Sequence, residues 1–301
     1  MKMDTHKLAY WFYSLARSAA RIFGVSKILR RTVGPFAGRF VFNSTSKAGH
    51  PFLIQGHKMY LSPKGRYPSP DMVVDRYEQA TTELFRQTIK ADMVVVDVGA
   101  NVGYFSLLSA ELVGSGGKVY AFEPEPNNYE LLTKNIELNS YSNVQPMQMA
   151  VSDECGFTQL FLSSLDSGSH SIYNAGARGV RGTHLVTTTT LDAFLTEEAW
   201  PNVDLVKIDV EGAELKVLAG MERLTERPHV FDLIIEFCPI LIHAAGEKPS
   251  DLLDKLASMN FHVRFVDEKA GVMSPEATDP QAITAKLVKQ ESYMNLLCSR
   301  K

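Results

Sequence analysis

The chain has 301 residues, 45% of them hydrophobic and 10% aromatic, enough for one large α/β domain with an extension or for two small domains. A net charge of −3 gives the whole chain no electrostatic reason to hold nucleic acid, and no run approaches the ~20 apolar residues that cross a bilayer. Three scattered cysteines, Cys155, Cys238 and Cys298, make neither a disulfide framework nor a CxxC metal pair, so a reducing, cytoplasmic setting is expected.

The charge is uneven. Residues 1–50 carry nine Lys/Arg against Asp4 alone, a balance of +8, which leaves −11 for residues 51–301. Residues 6–31 have a basic amphipathic pattern, with Leu8, Trp11, Phe12, Leu15, Ala19, Ile22 and Phe23 at helical spacing and Arg17, Arg21 and Lys27 on the polar side. Two readings stay open: a helix packed on the main domain, or one lying on an anionic membrane surface. The interrupting arginines and the lack of a small-residue cleavage site speak against a signal peptide. Gly34-Pro35 ends the pattern, "HKMYLSP" (57–63) reads as a strand, and residues 71–90 resume an amphipathic helix.

From residue 91 the period changes. "MVVVDVG" (93–99) is a buried parallel strand, 103–114 a helix, 117–124 a second strand, and 127–139 a helix with Asn127 or Asn128 as its cap. A third strand covers 143–152, and "FTQLFL" and "HLVTTTTL" flank the Gly/Ser-rich loop "SSLDSGSHSIYNAGARGVRG". Strand 203–210, helix 212–224, strand 231–237, helix 249–258, strand 261–266 and a closing strand 292–298 follow. This alternation predicts a doubly wound, Rossmann-like α/β sheet, with residues 1–70 as an extension and 71–301 as the main domain. Such sheets take ligands beyond the carboxyl ends of their strands.

The first strand runs into "VVVDVGANVGYFS" (94–106). Its pattern is D-x-G-x-N-x-G, carried by Asp97, Gly99, Asn101 and Gly103, not the G-x-G-x-x-G that brings backbone N–H groups to a pyrophosphate. A carboxylate at the strand end repels a pyrophosphate and attracts an ammonium. S-adenosylmethionine (SAM) has an ammonium and no phosphate. Glu123, ending the second strand, suits two ribose hydroxyls, and Asp153, after the third, suits the adenine amino group. Ala100, Ser152 and Asp209 complete the expected cofactor-binding set.

"DVGANVGYFSLLSA", "GKVYAFEPEPNNYELLTKNIELN", "AVSD", "TTTTLDAF" and "VKIDVEGAELKVLAGM", in that order, resemble the FkbM family of SAM-dependent methyltransferases over residues 74–266. Residues 1–50 and 270–290 fall outside the resemblance, and Asn260-Phe261 stands where the family often has Gly before the aromatic. The resemblance implies a class I methyltransferase fold and O-methylation of a hydroxyl on a sugar, glycan or secondary metabolite.

The segment "VKIDVEGAEL" (206–215) places Asp209, Glu211 and Glu214 where a buried strand ends. Glu214 is expected to serve the following helix's N-terminus. Asp209 or Glu211 is expected to take the proton that an attacking hydroxyl loses, joined by Glu236 on the next strand, with Lys207 holding one carboxylate charged. His170, in "SGSHSI", is the other candidate base. The Asn/Asp-Pro-Pro-aromatic ending suited to amine acceptors is absent here, and no ligand trio for Mg²⁺ is evident. A nucleotide-dependent oxidoreductase lacks its fingerprint, and a degenerate, non-catalytic scaffold conflicts with intact motifs.

Overall fold

The computed structural model describes residues 49–62, 69–73, 75, 77–164, 168–174, 179–268, 272–273 and 279–300. The basic segment expected to be helical over 6–31 lies outside these. Among the described residues, no helix is long and apolar enough to cross a membrane.

The core is one eight-stranded sheet in the order β12-β11-β13-β10-β9-β3-β4-β5. Its strands are β3 (Val94–Val98), β4 (Lys118–Phe122), β5 (Val144–Met147), β9 (Leu205–Ile208), β10 (Asp232–Phe237), β11 (His262–Asp267), β12 (Val272–Met273) and β13 (Met294–Ser299). β5, β4, β3, β9 and β10 are mutually parallel. β13 enters between β10 and β11, antiparallel to both. The closing strand 292–298 therefore inserts into the sheet rather than extending an edge.

Burial on both faces explains the near-continuous apolar strands. Successive residues feed opposite layers: Val96, Val98, Tyr120 and Phe122 pack on one side, Val95, Val119 and Ala121 on the other. Asp97 follows the second parity and points toward α3 (Tyr104–Val113), where Ser106 Oγ donates to its Oδ2 at 2.6 Å.

The helix expected over 71–90 is two: α1 (Ser69–Val73) and α2 (Gln79–Thr88). Asp75 (φ 55°) and Glu78 (φ 38°) are left-handed between them, a conformation that cannot propagate a right-handed helix. The strand expected over 143–152 also divides. Its second part, β6 (Ala150–Val151), joins β8 (Val180–Thr189) and β7 (Gly156–Ser163) in a separate sheet of order β6-β8-β7. The helix expected over 212–224 breaks into α6 (Glu214–Ala219) and α7 (Glu222–Glu226) around Gly220, where any Cβ would overlap the Ser152 carbonyl oxygen. α4 (Pro126–Leu138) is capped by Glu125, whose carboxylate accepts from Asn128 N at 2.7 Å, not by Asn127 or Asn128.

The hairpin of β1 (Phe52–Ile54) and β2 (His57–Met59) is tied down by side-chain amides of α4. Asn135 and Asn139 each accept from and donate to the hairpin backbone at Tyr60 and Lys58, over 2.7–2.9 Å. Two amides thus satisfy an edge that would otherwise hold unpaired backbone groups. Phe52, Ile54, Met59 and Leu61 join the same buried cluster as Val95 and Leu107.

Candidate active site

A cleft opens beyond the carboxyl ends of β3, β4, β9 and β10, the side on which open α/β sheets hold ligands. The turn after β3 forms its floor. Gly99 (φ 86°) and Ala100 both donate from backbone N–H to the Phe122 carbonyl, at 3.0 and 2.9 Å. A Cβ on Gly99 would overlap the Asp209 carbonyl oxygen, so the β3 and β9 loops touch through a glycine. Gly99→Ala is expected to cost about 1–2 kcal/mol in urea unfolding from the left-handed backbone, with the clash at the Asp209 carbonyl oxygen added to it, and to weaken cofactor binding by displacing Asp209. An unchanged unfolding midpoint would contradict that close approach. Gly103 (φ 96°) does not line the cleft; it starts α3 where a Cβ would press on Leu132.

Glu123 sits behind that turn. Its Oε2 accepts from Asn101 N at 2.8 Å and its Oε1 from Glu125 N at 2.9 Å, so one carboxylate joins the loops after β3 and β4. Burial raises its pKa to about 8, against the pull of those two N–H donors. Ser152 and Asp153 lie outside the cleft wall. Asp153 instead pairs with Lys216, Nζ to Oδ2 at 2.7 Å, which overcomes the cost of its partial burial and holds its pKa low. Met149, Ala150 and Val151 line the wall where a group contacting adenine was expected at 153.

At the end of β9 the chain folds a buried lysine among acids. Lys207 is 2% exposed, and its Nζ lies 2.9 Å from Asp209 Oδ2 and 4.9 Å from the Phe105 ring centre. Burial works against its charge, but the charges of Asp209, Asp97 and Glu78 outweigh that and raise its proton affinity. Asp97 is fully buried, which raises its pKa; Lys207 and Ser106 oppose the rise. Its Oδ1 has no hydrogen-bond partner among the described residues, and the residue lines the cleft. A buried acceptor without a partner is costly unless a ligand supplies the donor.

Glu211 (φ 54°) and Gly212 (φ 99°) turn the chain after β9. Glu214 holds this turn rather than only its helix terminus: its Oε1 accepts from both Val210 N and Gly212 N at 3.2 Å, and burial raises its pKa to about 7. Glu211 and Glu236 both line the cleft. Glu236, 7% exposed at the end of β10, has an Oε2 with no partner among the described residues. Burial, then Asp209 and Glu211, push its pKa well above the usual range. Its protonated form therefore favours the fold below pH 4.5, and that contribution is lost as pH rises through the raised value. Glu236→Gln is expected to remove this dependence, worth at most about 1.4 kcal/mol per pH unit. Urea titrations at several pH values check it: the variant overtakes the native protein in stability on the alkaline side.

His170 also lines the cleft, and its Nδ1 accepts from Ser163 N at 3.1 Å. Ser171 Oγ donates to the Glu211 carbonyl at 2.7 Å, pinning the 168–174 segment across the β9 turn. Among the described residues Lys207 is the single Lys or Arg in the cleft wall, against Glu78, Asp97, Glu123, Asp209, Glu211 and Glu236. Neither Glu78 nor its partner Asn295 is among the site residues expected from the sequence, and only Asn295 carries a local signal. Glu78 sits on the polar side of a helical pattern, whereas Asn295 stands out as a buried amide inside the apolar run "MNLLC" and signals an unusual environment.

These groups fit SAM: an acid-rich wall, an orphaned buried carboxylate oxygen for an ammonium, and a tight glycine turn that floors the cleft beside it. The cofactor supplies a methyl group activated on a sulfonium. Residues 97–263 match the Methyltransferase FkbM domain, more than half of the chain. Similar proteins include "Hexuronic acid methyltransferase AglP" of Haloferax volcanii, 28% identical over 183 residues (60% of this chain, 69% of that one). "31-O-demethyl-FK506 methyltransferase FkbM" of Streptomyces tacrolimicus is 32% identical over 158 residues, covering 43% and 59%. "2-O-methyltransferase NoeI" of Sinorhizobium fredii is 26% identical over 156 residues, covering 47% and 63%. The chain thus spans under two thirds of the length of the last two. With the motif, the sheet and the domain match in agreement, the chain belongs to the FkbM methyltransferase family and is a SAM-dependent methyltransferase.

Proposed function

We propose that the chain methylates a hydroxyl of a sugar, glycan or secondary metabolite. The observation that carries this is a cleft with Asp97 at one side and Asp209, Glu211 and Glu236 at the ends of β9 and β10. Hydroxyl attack on an activated methyl releases a proton, and carboxylates beside the acceptor remove it. Positioning supplies much of the remaining rate, since the donor is already activated. By their names, the three similar proteins above are methyltransferases of a hexuronic acid, of 31-O-demethyl-FK506 and of a 2-O position. Two of these names give an oxygen as the acceptor atom, which supports this reading, and the three differ in the molecule named.

In this reading Asp97 takes the ammonium of the cofactor, Gly99, Ala100, Asn101 and Gly103 shape the turn beneath it, and Glu123 meets the ribose. Asp209 is positioned by Lys207, and His170 belongs to the acceptor wall. Ser152 and Asp153 act indirectly, through the β6 end and the Lys216 pair. Residues 71–301 hold the transferase domain, with 1–70 as the extension.

Calorimetry tests the cofactor half: the native protein binds SAM, and Asp97→Ala weakens it roughly a hundred-fold, as expected for losing a charge-assisted bond in a buried site. Undiminished binding would sink this assignment. Labelled-methyl transfer from SAM into a metabolite extract, followed by product identification, tests the acceptor half. Label recovered only on nitrogen or carbon would refute an oxygen acceptor.

A further inference from the structure

We propose that Glu78 is a second anchor for the ammonium of SAM, acting beside Asp97; this rests on the reading of the cleft as a SAM site. Glu78 occupies the N-cap position of α2, yet its side chain makes no cap hydrogen bond. That work is done from elsewhere: Glu268 accepts from Ala80 N and Thr81 N, each at 2.8 Å, and from Thr81 Oγ1 at 2.6 Å. With the helix end satisfied by another residue, the Glu78 carboxylate turns into the cleft, 7% exposed, on a left-handed backbone (φ 38°) that a non-glycine residue adopts at a cost.

Two buried groups fix its orientation. Asn295 Nδ2, from the central antiparallel strand β13, donates to Glu78 Oε2 at 3.1 Å and to Thr81 Oγ1 at 2.9 Å. The expense of a buried amide in an apolar strand and a strained cap is explained if the carboxylate must be aimed. Its surroundings say at what. Lys207 faces Glu78, Asp97 and Asp209 together, so three acids share one buried cation. With the three acids charged the cluster carries a net charge of −2, and the orphaned Oδ1 of Asp97 lines the same cleft. A compact cation with several donors fits this deficit, and the ammonium of an amino-acid tail is such a group.

The groups facing Glu78 are Asp209 and Lys207 from the end of β9, Glu268 beyond β11, and Tyr77 beside it, with Tyr104 of α3 also within electrostatic reach. Burial, then Asp209, raises its pKa to about 7 against the pull of Lys207. Below that value the empty site holds a proton that an arriving ammonium displaces, so binding releases it.

The test is isothermal calorimetry at pH 6.5 in buffers of different ionisation heat, with SAM and with 5′-methylthioadenosine, which lacks the amino-acid tail. Native protein is expected to release most of one proton per SAM, and fewer with 5′-methylthioadenosine. Glu78→Gln is expected to weaken SAM roughly ten- to hundred-fold, leave 5′-methylthioadenosine unchanged, and lose the released proton. Equal losses for the two ligands, or none for either, overturn the proposal while leaving the SAM site intact. Absence of SAM binding by the native protein overturns the site reading itself. Should Glu78→Gln fail to fold by circular dichroism, Glu78→Asp and the native proton count decide. The aspartate must weaken SAM more than 5′-methylthioadenosine, and a native count that does not differ between the ligands refutes the assignment.

Discussion

Lys207→Met is expected to lower the free energy of unfolding by about 3–5 kcal/mol, because it leaves buried acids without the cation that compensates them. The side chain is 2% exposed and its ammonium serves Asp209 directly and Asp97 and Glu78 through space. Methionine keeps most of the apolar stem and removes the ammonium that stands 4.9 Å from the Phe105 ring centre, so a packing defect contributes little beside the lost charge. The loss also has a sign in pH. Asp97 and Glu78 already have raised proton affinity, and removing Lys207 raises it further. Groups of that kind support the fold while protonated and withdraw support as pH climbs through their folded values. The variant should therefore sit closer to the native protein at pH 5 than at pH 8. Urea unfolding at both values checks this. A uniform loss below about 1 kcal/mol would mean that the acids are not balanced by this lysine.

Much of this arrangement is legible in the amino-acid order. A short β-branched run such as "MVVVDVG" ending in glycine reads as a strand buried on both faces, and the acid that follows its first four apolar residues is conspicuous because burial of a carboxylate is costly. Alternation of strand and helix gives the sheet, and the order of strands puts Asp97, Asp209 and Glu236 on three neighbouring ones. What escapes is set by contacts distant in sequence. Nothing local in "DRYEQATTELF" says that Glu268, 187 residues beyond Thr81, will cap this helix and release Glu78. Lys216 likewise lies 63 residues from Asp153, and its pairing with that carboxylate is not visible in the local pattern. The split of 143–152 depends on β8 pairing with β6, a non-local choice that the continuous apolar pattern hides. Local periodicity names the elements; the partners of buried polar groups are tertiary facts.

The second large effect concerns proton removal. Glu236→Gln is expected to lower kcat roughly 10²–10⁴-fold with whichever hydroxylated acceptor the labelled-methyl experiment identifies. Three carboxylates compete for the role. Asp209 has its Oδ2 committed to Lys207 at 2.9 Å, which suits a charged positioning group better than a proton acceptor. Glu211 belongs to a left-handed turn pinned through its carbonyl by Ser171. Glu236 lines the cleft with an unpartnered buried oxygen, and its proton affinity is raised by burial and by both other acids. A base matched to neutral pH rather than to pH 4 is the more effective one. The native rate should thus rise with pH along a limb displaced above the ordinary carboxylate range, and Glu236→Gln should lose that limb. Asp209→Asn should lower the rate while keeping a limb, because it alters the neighbour's charge and not the acceptor of the proton. The same Glu236→Gln chain gains stability at alkaline pH, so inactivity cannot be ascribed to unfolding. A variant that is both more stable and unimpaired in kcat would transfer the role to Asp209 or Glu211.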